Sequence, residues 1–302
     1  MRTAEHNLNT VFSALKSVAR RKNKYCMKDI RVVLTIAGSD SCGGAGLQAD
    51  IKTISSLGLY AASAITAVTA QNTMGVRGIE AVAPAMLSAQ IEAVMEDFAV
   101  AAVKIGMIYN RENVMAIKGS LAKCGYHGPV VLDPVLVATS GDSLSGETLI
   151  SAMKTELFPI ATLITPNIPE TEVLSGMEVK SLDDMRKAAT KIMRETGVRN
   201  VLVKGGHGTG DAMTDLLISA DGKERLYSAP KIDTQNTHGT GCTLSSAIAS
   251  HLALGFDMET TVGKAKEYVH NAIAAAKDLN TGHGHGSLNH LFEPKGLVVS
   301  GQ

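Results

Sequence analysis

"RVVLTIAGSDSCGGAGLQADIKTISSLG" occupies Arg31 to Gly58. Its first ten residues are β-branched and apolar on both faces and stop at Gly38, Ser39 and Asp40. That pattern predicts a strand buried on both sides. From Gly44 onward the apolar residues recur at helical spacing until Gly58 stops the run. A strand, a glycine-rich turn and a helix therefore open the folded part of the chain.

The alternation continues. "AASAITAVTAQNTMG" (61–75) reads as a strand with its loop, and "MLSAQIEAVMEDF" (86–98) as a helix entered through Pro84. "AAVKIGMI" (101–108), "GPVVLDPV" (128–135), "ATLITPN" (161–167) and "NVLVKGGHG" (200–208) read as strands. "RENVMAIKGSLAKCG" (111–125), "GETLISAMKTELFP" (146–159) and "SLDDMRKAATKIMRETG" (181–197) read as helices between them. "TDLLISADGKERLYSAP" (214–230) reads as a hairpin turning on Asp221-Gly222. Helices over 239–255 and 259–279 close the chain. Alternating strands and helices, with strands apolar on both faces, predict a mostly parallel sheet covered by helices on each side. One domain over 31–293 is expected. An extension over 1–30 without apolar periodicity precedes it, with Met27 as an alternative start, and a tail over 294–302 follows.

Composition narrows the function. Of 302 residues, 29 are Lys or Arg and 29 are Asp or Glu, so the formal net charge is zero. No nucleic-acid or membrane partner is implied by that balance. Trp is absent and aromatics are 4%, which disfavours a base-stacking platform. The four cysteines, Cys26, Cys42, Cys124 and Cys242, form no C-x-x-C pair. A zinc site of that type is not expected, and free thiols in the cytoplasm are.

In a parallel sheet, ligands gather beyond the carboxyl ends of the strands. The residues there are Gly38 and Asp40, then Gln71, Gly106 and Met107, Asp133, Asn167 and Glu170, and Lys204, Gly205 and Gly206. No P-loop is present. Gly44 to Ala49 matches G-x-G-x-x-A but lies past the strand end and lacks the acidic ribose partner, so a dehydrogenase reading is weak. "THGTGCT" (237–243) reads better as an anion site. Gly239 and Gly241 leave backbone N–H groups unobstructed at a helix start carrying about half a positive charge. The alternative is a glycine-rich helix start made for packing. Cys242 sits in the first turn, where the helix dipole lowers a thiol pKa. It is a candidate base or nucleophile, or else a small buried residue. Asp133 and Glu170, ending neighbouring strands, are hard-oxygen candidates for Mg²⁺, or else cap and turn residues. Lys204 is a candidate for neutralising phosphate. His283 and His285 lie in a glycine-rich turn.

Taken in order, "TIAGSDSCGGAGLQADIKT", "AVTAQNT", "KIGM", "VLDPV", "LITPNIPE", "VLVKGGH" and "NTHGTGCTLSSAIA" resemble the hydroxymethylpyrimidine/phosphomethylpyrimidine kinases of thiamine synthesis, within the ribokinase-like superfamily. The resemblance runs from about Arg31 to Phe292. It implies a three-layer α/β/α domain, a homodimer, and two ATP-dependent phosphorylations of a small pyrimidine with Mg²⁺. It implies that Gly239, Thr240, Gly241 and Cys242 form the catalytic anion hole, with Cys242 standing where sugar kinases carry an aspartate base. Gln71 would pair with the pyrimidine, Gly38 and Asp50 would lie beside it, and Met107 and Val135 would pack on the ring. Lys204, Gly206 and Asn167 would lie along ATP, and Glu170 and Asp133 would position the metal. Cys42 departs from the Ser or Gly usual in that turn. Pyridoxal is a rival substrate, and a cysteine hydrolase using Cys242 with His238 is a rival class, as is a non-catalytic sensor.

Overall fold

The computed structural model describes residues 29–136, 146–205 and 212–299. Arg31–Val298 form one compact unit. The described residues of the other unit are Asp29, Ile30 and Val299, with an antiparallel bridge between Ile30 and Val299. The expected extension up to residue 28, including Met27, lies outside the described residues.

Among the described residues nine strands form one sheet. They are β1 (Val32–Asp40), β2 (Tyr60–Asn72), β3 (Gly75–Ala81), β4 (Val100–Ile105), β5 (Val130–Leu132), β6 (Leu163–Ile164), β7 (Asn200–Val203), β8 (Ala212–Ser219) and β9 (Glu224–Pro230). Their order is 3-2-1-4-5-6-7-8-9. Strands 2, 1, 4, 5, 6 and 7 run parallel. The antiparallel pairs are β2 with β3, β7 with β8, and β8 with β9.

The helices are α1 (Gly46–Ser56), α2 (Pro84–Asp97), α3 (Arg111–Lys123), α4 (Glu147–Ala152), α5 (Ile168–Ser175), α6 (Leu182–Thr196), α7 (Thr240–Ala253) and α8 (Met258–Ala274). Two cores separate the layers. Leu34, Ile36, Val103, Ile105 and Leu132 face α2 to α6 through side chains such as Ile91, Ile117, Leu174 and Ile192. Val33, Ala102, Val131 and Leu202 face α1, α7 and α8 through Ile54, Leu244, Ile248 and Val269. The period-2 alternation of one strand thus feeds two apolar cores, which is why no polar face shows in its sequence. The result is the three-layer α/β/α domain expected.

Three local features differ from the sequence reading. β3 carries no strand signal, since "GVRGIEA" is half exposed and has no apolar run, as an antiparallel edge allows. α5 carries no helix signal because Pro169 masks its start. Pro is tolerated in a first turn, and a capping box between Asn167 and Glu170 starts the helix. The helix expected over 146–159 keeps α-geometry only to Ala152. It then widens to a π-type turn over Met153–Leu157 and tightens over Phe158–Ile160, where Pro159 has no N–H to give.

The chain leaves β1 toward β2 on one side and returns to β4 on the other. That reversal opens a crevice beyond the carboxyl ends of β1 and β4.

Candidate active site

At the end of β1 the Asp40 carboxylate organises the glycine-rich turn. It accepts the N–H of Cys42 at 2.8 Å, of Gly44 at 3.2 Å and of Ala45 at 2.8 Å. Its fourth partner is His238 Nε2 at 2.9 Å. Burial pushes the Asp40 carboxyl up, but His238 and these N–H donors outweigh it, and the group is held below the usual carboxylate range. His238 Nε2 also lies 3.4 Å from Gln71 Nε2. Thr69 Oγ1 donates to Gln71 Oε1 at 3.2 Å. Ser41 Oγ accepts from the Gln71 N–H and donates to its carbonyl. Thr69 therefore holds the Gln71 amide oxygen, and the His238 ring lies against the amide nitrogen.

Gly38 and Met107 meet at the β1/β4 crevice. A Cβ on Gly38 would stand 2.6 Å from Met107 Cε. Thr66 Oγ1 pins the Met107 carbonyl at 2.7 Å. Val135, half-buried, follows β5, with its N–H on the Asp133 carbonyl at 2.9 Å.

The other end of the site is the start of α7. Helices α3, α5, α6 and α8 are capped by the side chains of Asn110, Asn167, Ser181 and Asp257. α7, like α1, α2 and α4, has no side-chain cap; it begins on Gly239. A helix start without that partner leaves first-turn N–H groups for a ligand or water. Gly239 has φ 90°, and a Cβ there would overlap the Gly44 carbonyl oxygen. A Cβ on Gly241 would stand 3.2 Å from Lys204 Nζ and 3.3 Å from Asp133 Oδ2. The bare helix start thus sits directly on the Lys204–Asp133 pair.

Lys204 Nζ donates to Asp133 Oδ1 at 2.8 Å, and Thr165 Oγ1 donates to the same oxygen at 2.9 Å. Burial raises the Asp133 carboxyl; Lys204, Lys104 and Thr165 overcome it and hold it low. Burial works against the Lys204 ammonium, yet Asp133 and Glu170 keep its proton on well above the usual lysine range. Glu170 lies in the first turn of α5 rather than at a strand end as expected. Its Oε2 accepts the Asn167 N–H at 2.8 Å, and its own N–H donates to Asn167 Oδ1 at 2.8 Å. Burial, with the Asp133 charge beside it, pushes Glu170 up to about 7 against the pull of Lys204.

Two sequence expectations are corrected. Asp50 does not reach the crevice: its side chain is fully buried against Lys104. Oδ1 accepts from Lys104 at 2.9 Å and Ser246 at 2.7 Å, and Oδ2 from Lys104 at 2.8 Å and Thr35 at 2.6 Å. Four hydrogen bonds from three side chains fill the acceptor sites of the carboxylate, so none is left for a substrate. The Cys242 thiol is not lowered by the helix start. Burial pushes it up to about 11, with Asp50 and Asp133 adding to the rise, against Lys104 and the Gly46 N–H.

The structure brings Gly38, Gln71, Met107, Val135, Asp133, Asn167, Glu170, Lys204 and Gly239–Cys242 to one rim of the sheet, the carboxyl ends of its parallel strands. Gly206 lies outside the described residues. Three contributors have no part in the kinase site that the resemblance implies. Lys104 stands fully buried inside "AAVKIGMI", and a charge within an apolar strand demands a counterion, which is the signal that could have found it. Asp40 and His238 are far apart in sequence, and nothing local announces their contact. The hollows beside α4, lined by Glu147, Ser151 and Thr155, carry none of the strand-end groups.

Fold and site define an α/β domain of the ribokinase-like kind, with a bare helix N-terminus and a half-buried lysine at one end of the crevice. A family model described as phosphomethylpyrimidine kinase matches residues 40–289, and the chain belongs to that family. It is 49% identical over 261 residues to the hydroxymethylpyrimidine/phosphomethylpyrimidine kinase of Rhizobium meliloti, across 86% of this chain and 97% of that protein. The crystal structure of phosphomethylpyrimidine kinase from Clostridium difficile 630 superposes with a TM-score of 0.71 at 41% identity, covering 80% of this chain and 99% of that one. The ADP complex of Bacillus subtilis pyridoxal kinase gives 0.79 at 32% identity, covering 87% and 99%. Among the described residues no helix is long and apolar enough to cross a membrane.

Proposed function

We propose that the chain uses ATP to phosphorylate the hydroxymethyl group of 4-amino-5-hydroxymethyl-2-methylpyrimidine and then the resulting monophosphate, for thiamine synthesis. The observation that carries this reading is the His238 contact to Gln71. It joins a side chain able to pair with a pyrimidine edge to the loop that opens the bare end of α7. Gln71, with an amide N–H and C=O oriented by its neighbours, holds the ring, and Met107, Gly38 and Val135 supply the apolar wall. The N–H groups of Gly241 and Cys242 and the Lys204 ammonium receive the charge of the transferring phosphoryl group. Asn167 and Lys204, with Gly206, lie along the nucleotide in this reading.

What supports Mg²⁺ is the donor set. Asp133 and Glu170 offer carboxylate oxygens, and the Glu170 proton is weakly held at neutral pH. Bound there, Mg²⁺ supplies neutralisation of phosphate charge. A proton on Glu170 competes with the metal, so Mg²⁺ affinity rises with pH through about 7. The apparent Mg²⁺ constant at about pH 6 is expected to be roughly tenfold weaker than at about pH 8. Glu170→Gln should flatten that dependence, and a wild-type profile already flat sinks the metal role.

Cys242, in this reading, takes the hydroxyl proton. A thiol pushed up to about 11 is mostly protonated at neutral pH. At saturating Mg²⁺ the first phosphorylation should therefore quicken with pH until well above neutrality. Cys242→Ala should lose roughly 10²–10⁴-fold and that pH dependence together. Near-full kcat in Cys242→Ala would remove the base assignment.

A cytoplasmic homodimer belongs to the same reading and rests on the resemblance. Pyridoxal as acceptor is a second reading, favoured by the likeness to the Bacillus subtilis pyridoxal kinase. Phosphorus NMR of products made from hydroxymethylpyrimidine and ATP tests the first reading: a monoester should form and then give way to a diphosphate. Absence of both overturns it.

A further inference from the structure

Three ligand atoms of different chemistry converge in the turn after β1, apart from the Asp133–Glu170 pair. The Cys42 sulfur, a carboxylate oxygen of Asp40 and a ring nitrogen of His238 lie within 4.8 Å of one another. Ligands shared by one zinc ion stand roughly 3.3–3.8 Å apart, given bond lengths of about 2.0–2.3 Å. Small side-chain rotations therefore suffice. The scaffold is already set, because Asp40 holds the turn through three backbone N–H groups. Asp40 and His238 are buried, while Cys42 is half-buried, in no disulfide, and open enough to admit an ion. The Lys52 ammonium, which acts on Cys42, donates to the Gly43 carbonyl at 2.8 Å.

We propose that Asp40, Cys42 and His238 form a second metal site for a borderline-soft divalent cation of the zinc class, and that filling it inhibits phosphoryl transfer. A thiolate with an imidazole selects such an ion over Mg²⁺, which prefers sites built of oxygen alone. Binding releases the Cys42 thiol proton to solvent. In the loaded site the imidazole proton sits on Nδ1, and Nε2 turns its lone pair from Asp40 to the metal. Inhibition follows from what His238 and the turn touch. Nε2 no longer faces Asp40 and Gln71 as it does at 2.9 and 3.4 Å. The turn drawn toward the ion also carries the Gly44 carbonyl, which packs on Gly239 at the start of α7. The inhibitory half rests on the function proposed above; the binding half does not.

The full-length protein, stripped with chelator and desalted, is titrated with Co²⁺ without substrate. One equivalent should produce a near-ultraviolet thiolate-to-cobalt band that Zn²⁺ bleaches and Mg²⁺ leaves. Cys42→Ser should abolish the band, whereas Cys26→Ser, Cys124→Ser and Cys242→Ser should keep it. In ATP turnover at saturating Mg²⁺, Cys42→Ser should retain the wild-type rate and need about tenfold more Zn²⁺ for half-inhibition. No band, or a band undiminished in Cys42→Ser, overturns the site. Equal Zn²⁺ sensitivity of the two proteins overturns the inhibitory role. A chain without any kinase activity would sink the proposed function, and the cobalt result would still decide the site.

Discussion

Gly239→Ala is expected to leave the fold in place and to lower kcat by roughly 10²–10³-fold, the usual loss when a preorganised anion donor is displaced. Gly239 holds φ 90°, where a Cβ strains the backbone, and that Cβ would overlap the Gly44 carbonyl oxygen. The loop can relieve the overlap only by moving away from the turn after β1. That motion carries the N–H groups of Gly241 and Cys242 away from Lys204 and Asp133, the Thr240 N–H being held by the Thr237 carbonyl. The strain itself costs about 1–2 kcal/mol, too little to unfold a domain of this size. Circular dichroism should therefore match wild type while ADP release at saturating substrates collapses. A kcat within a few-fold of wild type would show that the start of α7 does not receive the phosphoryl group.

Lys104→Met carries the largest expected loss of stability, about 3–5 kcal/mol. Both members of the Lys104–Asp50 pair are fully buried, and removing the ammonium leaves a carboxylate held only by Thr35 and Ser246. The thermal midpoint should fall by about 6–20 °C. Exchanging both partners, as Asp50→Leu with Lys104→Met, should recover most of it, because neither charge is then orphaned. The pH dependence of this stability follows the Lys104 proton. Burial works against the Lys104 proton, but Asp50, Cys242 and Asp133 hold it on above the ordinary 10.5. The stabilisation is thus complete below that pH and is lost only as pH rises through the elevated value. Calorimetry that finds Lys104→Met as stable as wild type would contradict the ion pair as a structural element. The same lysine also favours the Cys242 thiolate, so this variant should slow the first phosphorylation as well.

Much of the fold was legible because its cause is local. The apolar run ending at Gly38 and the helical spacing up to Gly58 each announce one element. Their repetition announces a parallel sheet. What stayed hidden depends on pairing. β3 exists because β2 offers it an edge, and α5 because the Asn167 and Glu170 side chains cap each other across Pro169. The site divides the same way. Asp133 and Lys204 stand directly after strands and Gln71 in the last residues of β2, so their position follows from the alternation. The state of Asp50 and Cys242 does not. "LQADIKT" cannot reveal that a lysine far along the chain occupies Asp50. A thiol at a helix start looks activated until the surrounding burial and two carboxylates are present. His238 became visible as a link only when the ends of β1, β2 and α7 stood side by side.

The central claim is that the bare start of α7 and Gln71 bound one phosphoryl-transfer site for a hydroxymethylated pyrimidine. ADP release measured side by side with hydroxymethylpyrimidine, its monophosphate and pyridoxal tests it most directly. Both pyrimidines should drive turnover, with a higher kcat/KM than pyridoxal. Turnover with pyridoxal alone, or ADP release unaltered by any of the three, would contradict it.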